Sequence, residues 1–155
     1  MSVVVATQGQ VTLTGTIGST FMAALRIPAN SMGPNGHIEV KFLWSMTNSA
    51  NNKQMIPYLG PISGAVGGLA LPSVTLSAAA MAQTMVVARN NNAANVQTAY
   101  GAPPATAPFS SAASALSVGA VDTTQDTYIN IFGNVAGAGE TLTLVHAYAV
   151  VFSAP

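Results

Sequence analysis

Large apolar residues recur at every second position in two long stretches of the chain. Between residues 36 and 47 they are Ile38, Val40, Phe42, Trp44 and Met46. This period of two predicts a β-strand with one buried face, and His37 is then expected on the exposed face. Between residues 140 and 152 the same alternation is expected to place one set of side chains together: Leu142, Leu144, His146, Tyr148, Val150 and Phe152. The opposite face of that strand holds small, mostly apolar residues, so we expect both faces to be covered.

Shorter strands are predicted wherever the alternation returns between turn-forming segments. They cover residues 10–14, 20–27, 53–59, 73–77, 83–89 and 127–132. In the 20–27 strand, one face is expected to hold Phe21, Ala23, Leu25 and Ile27. The Ala-rich segment 76–85 is the best helix candidate, but strand-forming Thr and Val flank it, so we interpret it as strand or loop. Strands separated by Gly-, Pro- and Asn-rich turns predict a single all-β domain, residues 1–155, built as an antiparallel β sandwich.

The segment from residue 90 to 124 departs from this pattern. It holds a run of Asn and then a stretch rich in Ala, Pro and Ser. Most connections within a small domain are much shorter, and segments of this kind are usually functional or partly disordered. We therefore predict that residues 90–124 form an irregular insertion or an arm.

Charged residues are scarce. The chain has four Lys or Arg and four Asp or Glu, which is 5% of its residues with a net charge of zero, whereas an ordinary soluble domain carries about 25%. Nucleic-acid binding requires many cations to neutralise phosphates, and the four here are few and not clustered: Arg26, Lys41, Lys53 and Arg89. Because the charges are spread singly along the chain, no charged ligand site is predicted. Such a surface is expected to pack against other protein, as in an assembly subunit.

Membrane insertion and sulfur chemistry are not expected either. Although 50% of the residues are hydrophobic, no run approaches the roughly 18 apolar residues that span a bilayer. The first residues lack the basic and long apolar regions of a secretory signal peptide, so we expect the chain to remain where it is made or to leave by cell lysis. The absence of Cys removes disulfides, thiolate metal sites and thiol nucleophiles.

The sequence offers little for catalysis. A Ser, His and carboxylate arrangement needs a histidine base, and the chain has two candidates, His37 and His146. We expect His37 to be exposed and His146 to lie in the core or in an interface. Asp122 and Asp126 are interpreted as part of a solvated turn, because a calcium loop needs more oxygen ligands and a central Gly. We therefore predict that the protein is not an enzyme and uses no metal or cofactor.

The most distinctive block runs from residue 21 to residue 60. A strand ending in Ile27-Pro28-Ala29 leads through a Gly- and Asn-rich turn into an aromatic strand, then through an Asn- and Ser-rich turn into a strand ending Tyr58-Leu59-Gly60. This block resembles a module of tailed-bacteriophage virion proteins. The resemblance implies a jelly roll of the tumour-necrosis-factor-like type, commonly trimeric, which serves as a capsid decoration (cement) protein or as part of a head or tail fibre.

The leading hypothesis is therefore a capsid decoration protein on the outer surface of the virion, made in the host cytoplasm. Its partner would be the major capsid protein, whose shell it binds and stabilises, and we expect a homo-oligomer, with a trimer favoured. An extended arm could anchor on a neighbour, since proline lowers the entropy lost on docking. The candidate anchor residues are Tyr100, Pro103, Pro104 and Phe109. A mobile surface loop is the alternative for that segment.

The alternative function is a tail or head-fibre module that binds a host receptor or glycan. In that case exposed tyrosines such as Tyr58 or Tyr100 would stack on sugar rings, although packing within a sheet or loop is the simpler interpretation of both. A small jelly-roll hydrolase is a weaker third alternative, because the sequence shows no cluster of His and carboxylates.

Overall fold

The computed structural model describes residues 2–15, 18–102 and 116–155, and these residues form twelve strands. The strands are β1 (Ser2–Ala6), β2 (Val11–Thr14), β3 (Thr20–Ile27), β4 (His37–Met46), β5 (Lys53–Gly60), β6 (Leu69–Ala70), β7 (Val74–Leu76), β8 (Met81–Asn90), β9 (Gln97–Ala102), β10 (Ser117–Gly119), β11 (Thr127–Val135) and β12 (Thr141–Phe152). Every strand predicted from the alternation is present, including β8 in place of the helix candidate. The pattern did not predict β1, β6, β9 and β10, which are short or lie at sheet edges.

The strands pair in the order of a jelly roll. The larger sheet has the order β1-β12-β4-β8-β9-β10, with β2 also paired to β12, and the smaller sheet has the order β3-β11-β5-β6, with β7 also paired to β5. Strands from the start of the chain pair with strands from its end, and the pairs then move inward along the sequence. They are β2 with β12, β3 with β11, β4 with β8, and β5 with β6 and β7. All of these pairs are antiparallel, and this nesting is the jelly-roll arrangement of Greek keys. The predicted all-β jelly-roll sandwich is confirmed.

The core lies between the two sheets and is supplied by alternate residues of each strand. All five predicted apolar residues of β4 are buried, so this prediction is confirmed. The indole of Trp44 is 1% exposed and its Nε1 donates a hydrogen bond to Thr84 Oγ1 at 3.2 Å. A one-residue slip of β4 would expose this whole apolar set, so its burial fixes the register of the large sheet.

A β-bulge in β12 overturns the predicted face of that strand. Leu144 lies opposite Trp44 and His146 lies opposite Leu43, which leaves Val145 as an extra residue between them. Beyond the bulge the buried residues are Ala147, Ala149 and Val151, each 0% exposed. The alternation of buried and outer residues is therefore reversed in the second half of the strand. Four side chains that were predicted to share a face with Leu142 and Leu144 point to the outer face instead: His146, Tyr148, Val150 and Phe152.

A second irregularity corrects the predicted face of β3. Ile131 of β11 pairs with Ala23 and the next residue pairs with Phe21, so Met22 is the extra residue. Met22 is 6% exposed and Phe21 is 42% exposed. Phe21 therefore does not share the buried face of Leu25 and Ile27, as the uninterrupted alternation had predicted.

The segment from residue 90 to 124 is partly regular. It contains β9 and β10, which extend the large sheet beyond β8, so the prediction of an irregular segment is wrong for these strands. Its two ends are joined by buried amides. Gln97 Nε2 donates to Asn90 Oδ1 at 2.9 Å and to the carbonyl oxygen of Val121 at 2.8 Å, and its Oε1 accepts from the Val121 amide at 2.8 Å. Pro103, Pro104 and Phe109 lie outside the described residues.

Candidate functional site

Five of the charged residues have structural contacts that account for them. Arg26 Nη2 lies 2.7 Å from Asp126 Oδ2 in an exposed ion pair. Asp126 also accepts from the backbone amide of Ala29 at 3.0 Å, and the hydrogen bond from Arg26 is the main cause that lowers the pKa of this carboxyl. Asp122 accepts from the amide and the hydroxyl of Thr124 at 2.9 and 2.6 Å, which closes a turn. The predicted solvated turn is consistent with these contacts.

The second ion pair is buried. Lys53 is 0% exposed, and its Nζ lies 2.9 Å from Glu140 Oε2 and 2.7 Å from Ser49 Oγ. Glu140 also accepts hydrogen bonds from Ser49 Oγ at 2.8 Å and from Asn51 Nδ2 at 3.0 Å. The hydrogen bond from Lys53 contributes most to lowering the pKa of Glu140. This pair joins the start of β5, in the small sheet, to the residue before β12, in the large sheet.

The three remaining charges, Glu39, Lys41 and Arg89, share the outer face of the large sheet. Glu39 and Lys41 are alternate residues of β4, and the neighbouring β8 places Arg89 opposite His37, next to Glu39 on that face. The charges are spread singly along the sequence, but the fold brings these three onto one face. Antiparallel pairing brings together charges that lie about fifty residues apart in the chain.

A groove of about 360 Å³ lies on this face. Its lining residues are Asn35, His37, Glu39, Val87, Arg89 and Tyr100. The pairing of β4, β8 and β9 explains how they meet, because Val87 lies between Glu39 on one side and Tyr100 on the other. Val87 is 6% exposed and forms the floor, whereas Tyr100 is 45% exposed and forms one wall.

The position of His37 in the groove depends on the turn before β4. The His37 ring stacks on Phe152 with centroids 4.5 Å apart and planes 13° apart, and its Nε2 lies 3.7 Å from Glu39 Oε1. A Cβ at Gly36 would collide with the carbonyl oxygens of Met32 and Phe152. Glycine is therefore required where β4 begins beside Phe152. The outward orientation predicted for His37 is confirmed.

The charged groups of the groove are available for a ligand. Among the described residues, the guanidinium of Arg89 makes no hydrogen bond or ion pair, and the carboxylate of Glu39 has no polar contact closer than the one to His37. Asn35, by contrast, is fixed in place: its Nδ2 donates to the carbonyl oxygen of Pro155 at 2.5 Å and its Oδ1 accepts from the Asn92 amide at 3.1 Å. The groove thus combines a carboxylate that contacts only His37, an unpaired guanidinium and an exposed aromatic ring.

The two tyrosines considered as sugar-stacking candidates are in different situations. Tyr100 lines the groove, whereas Tyr58 lies on the small sheet with its ring edge-on to Phe132, centroids 5.8 Å apart. His146 is exposed rather than placed in the core, because the bulge turns it outward; its ring lies 5.8 Å from that of Tyr148.

Sequence reasoning missed Glu39 and Arg89 as members of one site. The alternation of His37, Glu39 and Lys41 on one face of a predicted strand is a signal that could have suggested a polar surface there. Nothing local to β4 shows that β8 will lie beside it with Arg89 opposite His37, so the site becomes visible only when the strand order is known.

In the parts of the chain that the structure describes, no three His, Asp or Glu side chains lie close enough to hold a metal ion. Within those same parts, no helix is long and apolar enough to cross a membrane.

No protein-family model matches the sequence, and no curated protein matches it either. Several solved legume lectins are similar in structure. They include the acidic lectin of winged bean, complexed with methyl-α-D-galactose, with 10% identity, a TM-score of 0.43 and coverage of 98% of this chain and 99% of that chain. Lectin I of Ulex europaeus, in complex with the methyl glycoside of α-L-fucose, has 10% identity, a TM-score of 0.43 and 98% coverage of both chains. At this identity and TM-score, the likeness transfers no function to this chain.

Proposed function

We propose that this protein is a non-enzymatic binding module whose groove binds a neutral carbohydrate. The observation that supports this most directly is the meeting of Glu39, Arg89 and Tyr100 around one groove. In the virion setting that the sequence resemblance implies, the module would belong to a tail or head fibre and would bind a glycan of the host.

The chemistry of the groove fits a sugar better than an ion. Sugar hydroxyls both donate and accept hydrogen bonds, so they can use the Glu39 carboxylate and the Arg89 guanidinium at the same time. The carbon-bound hydrogens of a pyranose form an apolar face that can pack on the exposed ring of Tyr100. Glu39 and Arg89 carry opposite charges, so an ion that one of them attracts is repelled by the other. A neutral ligand with mixed donors and acceptors meets neither penalty.

A glycan array followed by calorimetric titration of the retained sugars tests this proposal. Arg89→Met removes the guanidinium donors and should weaken binding about tenfold or more, since a hydrogen bond to a charged group contributes about 1.5–3 kcal/mol. Tyr100→Ala should also weaken binding. Arg26→Met, on the smaller sheet, is the matched control and should leave the affinity unchanged. The proposal fails if no array sugar is retained, or if Arg89→Met and Tyr100→Ala bind as tightly as the unchanged protein.

Capsid decoration is the second candidate, and the exposed apolar side chains favour it. Val4 of β1 is 64% exposed, and Val118 of β10 is 76% exposed, so both edge strands of the large sheet carry an apolar side chain in solvent. Met81 at the start of β8 is 70% exposed. In a protein with few charges, such positions suit contact with other copies or with the major capsid protein.

Copy number in a purified particle separates the two functions. Hundreds of copies support decoration, whereas a handful support a fibre module. The anchor proposed for Tyr100, Pro103, Pro104 and Phe109 is tested by deleting residues 101–114: unchanged capsid binding and an unchanged oligomeric state would remove it. The mass of the isolated protein in solution tests the proposed trimer.

A further inference from the structure

The bulge at Val145 has a consequence for the outer face of the large sheet. In an uninterrupted strand, the alternation that buries Leu142 and Leu144 would also bury His146 and Tyr148. One extra residue reverses the second half of the strand and places both rings on the same face as the groove. Bulges often occur beside functional sites, where they re-aim a side chain. Here the bulge re-aims two rings.

The rings of His146 and Tyr148 are on β12, beside the residues of β4 that follow those of the groove. Tyr148 pairs with Lys41 and His146 pairs with Leu43, whereas the groove occupies the level of His37 and Glu39. Lys41 Nζ lies 6.0 Å from the centroid of the Tyr148 ring, and the His146 and Tyr148 rings are 5.8 Å apart and inclined by 35°. The ammonium group of Lys41 forms no ion pair or hydrogen bond with any described residue. A second group of rings and a free donor therefore adjoins the first.

We propose that the site continues along β4 to a second subsite formed by Lys41, His146 and Tyr148, so that the protein binds an oligosaccharide rather than a single sugar. This inference rests on the proposed function. Tyr148 lies at the level of Lys41 and His146 at the level of Leu43, which are about 7 and 14 Å along the strand from Glu39 at about 3.4 Å per residue. One pyranose ring in the groove does not reach over both levels. The groove would hold one sugar through Glu39 and Arg89, and Tyr148 would pack on a later sugar of the same chain.

The composition of this surface favours a sugar chain over a second copy of the protein. Protein interfaces have an apolar, charge-poor centre, but the surface formed by the groove and the second subsite has Glu39 and Lys41 at its middle. Val4 and Val118, which are 64% and 76% exposed, lie on the edge strands of the sheet, and Met81, which is 70% exposed, pairs with Ser45 beyond the level of Leu43. A row of rings interspersed with hydrogen-bonding groups matches a ligand that presents apolar faces and hydroxyls in turn.

The test uses homologous series of neutral gluco-, galacto- and manno-oligosaccharides of one to six residues, titrated against the whole protein. For a series that binds, affinity should rise from the monosaccharide to the tetrasaccharide and then level off. Tyr148→Ala should lower the affinity for the longer members about three- to tenfold, the size of one aromatic contact, and leave the monosaccharide unaffected. Tyr148→Phe keeps the ring and should keep the dependence on length. Tyr100→Ala should weaken every member, and the fluorescence of Trp44 verifies that each variant is folded.

The outcomes separate this inference from the function on which it rests. Equal affinity for one and six sugars would overturn the second subsite while leaving the carbohydrate site in place. A length dependence that survives in Tyr148→Ala would also overturn it. Failure of every series and of every array sugar to bind the unchanged protein would overturn the carbohydrate proposal itself, and the second subsite with it.

Discussion

The buried amide of Gln97 allows a sharp test of how the groove is held together. Gln97 is 1% exposed and joins β9 to Val121, near the far end of the 90–124 segment, through the bonds to both backbone groups of Val121. It also bonds to Asn90, whose own Nδ2 donates to the carbonyl oxygen of Gly33 at 2.7 Å. The network therefore links the turn before β4 with β8 and β9, the elements that carry the groove.

Replacement by methionine removes these bonds with little change in side-chain length. Gln97→Met would leave Asn90 Oδ1 and the amide and carbonyl groups of Val121 without their hydrogen-bond partners in the described structure. The carbonyl of Ala94, which Gln97 also contacts, would still accept from Thr123 Oγ1 at 2.8 Å. Each buried polar group left unpaired costs about 1–3 kcal/mol. We therefore expect the free energy of unfolding to fall by at least about 3 kcal/mol.

Urea unfolding followed by the fluorescence of Trp44 measures this loss. The chain has one tryptophan, and its side chain is 1% exposed, so unfolding changes its surroundings completely. Gln125→Met, at an exposed glutamine, is the control and should shift the free energy of unfolding by less than about 0.5 kcal/mol. A loss below about 1 kcal/mol for Gln97→Met, with an unchanged urea slope, would refute the reasoning, because it would mean that the orphaned groups find other partners.

Three further predictions concern other parts of the fold. The hydrogen bonds to Glu140 hold its pKa below the ordinary 4.5, so its carboxylate stabilises the fold above that pH and the contribution is lost as the pH falls through the lowered pKa. Thermal unfolding should show Glu140→Gln less stable than wild type at neutral pH, with the difference narrowing in acid; a difference that stays constant with pH would contradict this. Gly36→Ala should lower the free energy of unfolding by about 1–3 kcal/mol or more, because its Cβ meets two rigid carbonyl oxygens; a smaller loss in urea unfolding would contradict this. Deleting Val145 should keep the fold, since it leaves a regular strand, whereas deleting Ala149 should destabilise the fold strongly. Equal urea midpoints for the two deletions would contradict the assignment of Val145 as the extra residue of the bulge.

Local alternation was sufficient to predict most strands, because a strand with one buried face has an apolar residue at every second position. It was sufficient for β4, whose five apolar residues are all in the core. It failed in β12 at Val145, since a bulge changes the phase without changing composition. The run Leu144-Val145 followed by His146 is the local sign of that change: two large apolar residues in sequence, then a polar one.

Local patterns do not show which strands lie next to each other in a sheet. The short strand β9 could not be predicted from alternation, yet it places Tyr100 opposite Val87. Likewise, the meeting of Glu39 and Arg89 depends on the β4–β8 pairing, which spans the whole of β5 to β7 in sequence. The fold class could therefore be predicted from the sequence, whereas the candidate site could not.

The scarcity of charge makes the position of each charge informative. Lys53 and Glu140 are buried together, and Arg26 and Asp126 pair with each other, so these charges compensate one another within the fold. Glu39, Lys41 and Arg89 have no equivalent compensation among the described residues, and an isolated charge on a sheet face adds little to stability. Each could be replaced by Thr or Gln, which the rest of the surface uses freely, at little cost to folding. Under the proposed function, a ligand that hydrogen-bonds to these three charges accounts for their position on one face, beside the rings that the bulge turns outward.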